Sequence, residues 1–144
     1  MIKIICVGKL KENYLKDLVS DYLDRVNKYH KTELIEVKDS DIVKESNQIE
    51  KYIDSKDFVV TLEIEGKKMG SQEFARTIDN WITNYSKIVF VIGGSDGIHD
   101  SIKERSNFAL SFSDMTFPHG LFRGFLIEQI YRGFKILNNE TYHK

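Results

Sequence analysis

Short apolar runs alternate with stretches of helical periodicity from one end of the chain to the other. Ile2 to Val7 is an apolar run closed by Gly8, which predicts a strand. Leu15, Leu18, Val19, Tyr22, Leu23 and Val26 then recur at helical spacing. Leu34 to Val37 predicts a second short strand, and Ile42, Ile49, Tyr52 and Ile53 a more weakly patterned helix. FVVTLEI, from Phe58 to Ile64, is rich in β-branched residues and predicts a third strand. Gly66 and Gly70 bracket a predicted turn. Ser71 is placed to cap the helix after it, with Phe74, Ile78, Trp81 and Ile82 on the inner face. Ile88 to Ile92 is continuously apolar, as a strand covered on both faces is, and it stops abruptly at Gly93-Gly94-Ser95-Asp96-Gly97. A short helix from Asp100 or Ser101, a last strand from Phe108 to Phe112 and a loop from Ser113 to Pro118 follow. Pro118 suits the first turn of a helix, where its missing N–H costs nothing, and that helix runs to about Leu137. Strands alternating with helices predict an α/β domain over residues 1–144, a mostly parallel sheet with helices on both faces.

Composition narrows the class without choosing a function. Hydrophobic residues make up 41% of the 144 and charged residues 30%, which argues for a folded chain over a disordered one. The net charge of −1 means that any contact with nucleic acid must come from a local basic patch. The single cysteine, Cys6, lies inside the first apolar run and reads as a packing residue, and one thiol forms no internal disulfide. Lys3, Lys9 and Lys11 break the apolar start too early for a signal peptide, so the expected location is the cytoplasm.

The Gly93–Gly97 turn lies where an α/β protein holds ligands, beyond the carboxyl end of a buried strand. Glycines there let a backbone approach a ligand, or they simply permit a tight turn. The spacing is neither G-x-G-x-x-G nor G-x-x-x-x-G-K-[ST], so a dinucleotide or P-loop enzyme is disfavoured.

The segment after Pro118 carries the most information. Phe122, Phe125, Leu126, Ile130, Phe134 and Leu137 form one apolar stripe, with Leu121, Ile127 and Tyr131 mostly outside it. So wide an apolar surface predicts a helix buried on more than one side, centrally or against a second subunit. Gly124 and Gly133 inside it each cost about 1 kcal/mol against alanine, which close approach of another backbone would offset. From His119 onward the charge is +2, and the stretch gathers Arg123, Arg132, His119, His143 and Tyr142. His30 and His99 have no such company and read as surface residues.

Taken in order, the opening IKIICVGKLK, TLEIEGK at Thr61–Lys67, FVIGGSDG at Phe90–Gly97, LSFSDMTFPH at Leu110–His119, and LIEQIYRGFKI with a terminal YHK resemble the RlmH (YbeA) family of SPOUT-class ribosomal RNA large subunit methyltransferases. The resemblance covers nearly the whole chain. It implies a C-terminal trefoil knot, a homodimer, and S-adenosyl-L-methionine as cofactor. The implied activity is methylation of N3 of a pseudouridine in 23S ribosomal RNA, in the helix 69 loop, on the assembled ribosome. The cofactor positions it carries over are Leu62, Gly93, Phe112, Ser113, Asp114, Met115, Thr116 and Phe117. Gly124 and Gly133 depart from the family pattern, which has alanine or bulkier residues there.

The residue types suit that chemistry. An adenosyl sulfonium needs apolar walls and backbone hydrogen bonds, which Leu62, Phe112, Met115, Phe117 and the glycines offer. Direct methyl transfer calls for no metal, and no metal-ligand spacing stands out. The acceptor is an imide nitrogen that must lose its proton. His119 and His143 are candidate bases, Arg123 a stabiliser of the developing anion, and Tyr142 a stacking partner for the base. A ribosome-binding factor that keeps the fold without the chemistry is the alternative.

Overall fold

The computed structural model describes all residues, Met1–Lys144. Five strands are β1 (Ile2–Val7), β2 (Thr32–Val37), β3 (Phe58–Lys68), β4 (Ile88–Ile92) and β5 (Phe108–Ser111). Five helices are α1 (Asn13–Asn27), α2 (Ile42–Glu50), α3 (Ser71–Asn84), α4 (Asp100–Arg105) and α5 (His119–Leu137). The strands form one sheet in the order β2-β1-β4-β3-β5, with every pair parallel. Parallel pairing needs a crossover between strands, and the helices supply it.

The two faces of the sheet follow from the period of two in the strands. Ile2, Ile4 and Cys6 of β1 and Ile88, Phe90 and Ile92 of β4 face one core, shared with α1, α3 and α5. Ile5, Val7, Val89 and Val91 face the other, shared with α2 and α4. Cys6 is fully buried, and burial raises its thiol from the ordinary 9.0 to about 12, as suits a packing residue. No helix is long and apolar enough to cross a membrane.

Helix α5 lies between α1 and α3 on the larger core. Its buried face is rotated from the expected stripe: Ile127 and Tyr131 are buried, whereas Phe125 is exposed. Contact with helices on two sides, besides the sheet, moves the apolar centre off the side of Phe125. The approach of a backbone expected at the interior glycines is met only at Gly133, at ordinary contact distance, whereas Gly124 faces a side chain. A Cβ on Gly133 would lie 3.5 Å from the Ala75 Cα of α3, and one on Gly124 would lie 3.1 Å from Leu18 Cδ2 of α1.

Four local expectations are corrected. Gly66 is not in a turn but inside β3, where the ladder to β5 shifts register between Leu62 and Lys67. A Cβ there would meet the Ala109 carbonyl carbon at 2.7 Å, so only glycine lets the two backbones pass. Gly70, not Ser71, is the N-cap of α3, and the Ser71 hydroxyl instead donates to Gln129 Oε1 of α5 at 2.7 Å. His30 stacks on Phe134 with its Nε2 buried and without a hydrogen-bond partner, and burial lowers its pKa. His99 caps α4, its Nδ1 accepting from the Ser101 N–H at 3.0 Å.

Candidate active site

Beyond the carboxyl end of β4, the second half of β3, the turn after β4 and the loop after β5 border a cavity of about 370 Å³. That volume lies within the ~300–1,000 Å³ typical of small-molecule sites. Leu62 and Glu63 come from β3, Gly93 from the turn after β4, and Phe112, Ser113, Met115, Thr116 and Phe117 from the loop after β5. His119 and Phe122 of α5 close one side. Seven of the eight positions expected at the cofactor thus share one cavity with His119. Asp114 does not line it. Its carboxylate is exposed and pairs with Lys68 across the outside of the loop.

The glycines serve the turn itself. A Cβ on Gly93 would lie 2.5 Å from the Gly97 carbonyl oxygen and 2.8 Å from Ile98 Cγ1. One on Gly94 would lie 2.9 Å from Val7 Cγ1. Gly97 adopts φ +79° and closes the turn by donating to the Gly94 carbonyl at 3.0 Å. Gly93→Ala is therefore expected to push the turn open and destabilise the fold by ~1–3 kcal/mol. Thermal denaturation and amide exchange at 93–98 measure this, and unchanged values would show that the turn has room.

Arg123 does not reach the cavity. Its side chain is 2% exposed and lies under the carboxyl end of β1. Nη1 donates to Glu36 Oε2 at 2.8 Å and to the Gly8 carbonyl at 3.1 Å, and Nη2 to the Val7 carbonyl at 3.4 Å. The guanidinium ties the first turn of α5 to β1 and β2, and so fixes where His119 begins the helix.

The polar tail after α5 folds back along it. The Tyr142 ring meets Tyr131 edge-on at 4.9 Å, and its hydroxyl donates to Glu128 Oε1 at 3.0 Å. The same carboxylate oxygen accepts from Arg132 Nη2 at 2.6 Å. Burial first, then the hydrogen bonds with Tyr22 and Glu128, push the Tyr142 phenol well above the ordinary tyrosine range. His143 Nδ1 lies 3.1 Å from Arg132 Nη1. A guanidinium only donates, so Nδ1 accepts, and a neutral His143 ring then carries its hydrogen on Nε2. The tail packs along Glu128 to Arg132, nine to thirteen residues beyond His119, or about 14–20 Å along the helix axis. Within one chain, His119 and the pair Tyr142–His143 therefore belong to separate places.

Sequence reasoning missed Glu63 and Lys103, which pair at 3.7 Å on the cavity wall, although Glu63 stands inside the TLEIEGK motif. It also missed Glu36, whose partner comes from 87 residues away and leaves no local signal.

A cavity beyond the carboxyl ends of parallel strands is where open α/β proteins hold small ligands, and the chain's relatives name the class. The family model described as "Predicted SPOUT methyltransferase" matches residues 1–143. The chain is 44% identical to Ribosomal RNA large subunit methyltransferase H of Caldicellulosiruptor saccharolyticus, over 100% of both chains. It is 47% identical to the protein of the same name from Ureaplasma urealyticum, over 100% of this chain and 99% of that one. The fold is also that of the tRNA (m1G37) methyltransferase from Aquifex aeolicus, with TM-score 0.55 and 15% identity over 91% of this chain and 69% of the other. The chain belongs to the SPOUT methyltransferases and, within them, to the family of ribosomal RNA large subunit methyltransferase H.

Proposed function

We propose that the protein transfers a methyl group from S-adenosyl-L-methionine to N3 of a pseudouridine in 23S ribosomal RNA, acting as a homodimer on the assembled ribosome in the cytoplasm. The observation that carries this reading is the single cavity shared by Leu62, Gly93, the 112–117 loop and His119. Its donor set fits the cofactor: Leu62, Phe112 and Phe117 offer apolar walls for a purine, and the turn and loop backbones offer hydrogen bonds at the edges. When bound, the cofactor supplies an electrophilic methyl group on sulfur. The family resemblance implies a C-terminal trefoil knot.

The chain's own residues then have separable tasks. The cavity holds the donor and excludes water from one side of it. His119, on the cavity wall, is placed to accept the imide proton. Arg123 acts through position, by anchoring the helix that carries His119. Tyr142 and His143 lie too far from the same chain's cavity to meet the acceptor base there, so a second copy must bring them to it. Met115 is 74% exposed and Phe125 37%, and both stand beside the cavity. Exposed apolar side chains at that place suit coverage by a partner subunit.

Calorimetry with S-adenosyl-L-methionine, followed by methyl transfer assayed on intact ribosomes and on free RNA, tests the reading. Binding together with methylation of ribosomes at a single pseudouridine is expected. Absence of binding at millimolar cofactor overturns it. Ribosome association and cofactor binding without transfer would favour the non-catalytic factor instead.

A further inference from the structure

The cavity contains an ion pair that the cofactor positions carried over by resemblance leave unused. Glu63 follows Leu62 midway along β3 and shares a sheet face with Thr61. Thr61 is fully buried, and its hydroxyl donates to Glu63 Oε2 at 2.6 Å. The Thr61 oxygen in turn lies 3.0 Å from the Ser106 hydroxyl. One carboxylate oxygen is thus held from beneath by a buried hydroxyl. The other, Oε1, accepts no hydrogen bond. Its nearest cation is Lys103 Nζ at 3.7 Å, beyond hydrogen-bond range.

A carboxylate only accepts, so Oε1 calls for a donor on the ligand. S-adenosyl-L-methionine has three kinds of donor: the exocyclic amine of adenine, the vicinal hydroxyls of ribose, and the α-ammonium. Lys103 already brings a positive charge to Oε1, which disfavours a second cation there. The apolar walls that suit the adenine lie on the opposite side of the sheet edge, with Leu62, Leu110 and Phe122. The neutral diol remains. Glu63 also lies on the strand beside the one that leads into Gly93, one residue past the level at which that strand ends.

We infer that Glu63 is the ribose-binding residue of the cavity, oriented by Thr61 and Ser106, and that it selects an unmodified 2′,3′-diol. The inference rests on the methyltransferase reading above and assigns a specificity residue within the same site. Calorimetry on the whole protein tests it with three probes: S-adenosylhomocysteine, 5′-methylthioadenosine, which keeps the ribose but lacks the amino acid, and the 2′-deoxy analogue of the latter. Glu63→Ala is expected to weaken the first two by the same factor, ~10- to 100-fold, as befits loss of a hydrogen bond to a charged group. The deoxy analogue should bind wild type weakly, and the variant should add no further loss.

Unchanged affinity of the variant for 5′-methylthioadenosine overturns the assignment, since Glu63 would then serve the amino-acid end or nothing. Additive losses from variant and deoxy analogue overturn it equally. Thr61→Val, which keeps the carboxylate and removes its support, should give a smaller loss of the same pattern, and supplies the test should Glu63→Ala fail to fold. If wild type binds none of the three probes, the methyltransferase reading itself fails and takes this inference with it.

Discussion

Deletion of Tyr142, His143 and Lys144 abolishes methyl transfer while cofactor affinity stays within about twofold of wild type. The two effects separate because the sites do. The tail packs on Tyr131, Glu128 and Arg132, whereas the cavity is closed by residues 112–119, and sites so far apart act independently. Deletion removes the Tyr142 hydroxyl from Glu128 and its ring from beneath the Arg132 guanidinium, 4.8 Å away. Glu128 keeps Arg132 and Gln129, so the helix should lose only ~1 kcal/mol. A mixture makes the test sharper. Tail-deleted protein combined with a full-length His119→Ala variant contains mixed dimers, in which one complete cavity faces one complete tail. If the tail works across the dimer, mixing equal amounts of two inactive proteins restores about a quarter of wild-type activity. No recovery after subunit exchange, measured by radiolabel transfer to ribosomes, would place tail and cavity in the same chain's service.

What the chain discloses before folding depends on how local each cause is. The alternation of Ile2, Ile4 and Cys6 with Ile5 and Val7 contains both faces of β1, because a strand's side chains report directly which way they point. The same holds for β4 and for the parallel α/β class that the repeated strand–helix order dictates. Periodicity along α5 fails by a rotation, since the buried face of a helix is set by neighbours on several sides. α1 and α3 both pack on it, and no window of α5 alone contains that information. Gly66 is legible as a glycine that must be there, but its reason, the Ala109 backbone, comes from a strand forty residues later. The glycines at 93 and 94 also answer to Gly97 and Val7. The clustering of 112–117 with Leu62 and Gly93 came from resemblance, since nothing in composition or spacing joins three separate segments at one cavity.

Arg123 is where local chemistry misleads most, and where substitution has its largest effect on stability. An arginine beside a histidine in a basic stretch invites a role at the substrate, yet this one is the largest fully buried side chain of the molecule. Its cation faces Glu36 and two backbone carbonyls at the ends of β1 and β2. Arg123→Met removes the cation and leaves the Val7 and Gly8 carbonyls and the Glu36 carboxylate without it. Breaking a buried pair on one side costs ~3–5 kcal/mol, and Glu36, with 31% of its side chain exposed, keeps the expected loss near the lower end, ~3 kcal/mol. For a chain of this length that lowers Tm by roughly 10 °C. Glu36→Gln alone should cost less, because the arginine retains both carbonyls. The double variant should recover part of the loss, since no unpaired charge then remains beside the apolar face of α5. Activity should fall in Arg123→Met in step with the displacement of α5, and Arg123→Lys, which keeps the charge but not the fork of donors, should restore stability only in part. If Arg123→Met instead melts at the wild-type temperature and loses only kcat, the guanidinium leaves its buried pair during turnover and meets the substrate anion after all.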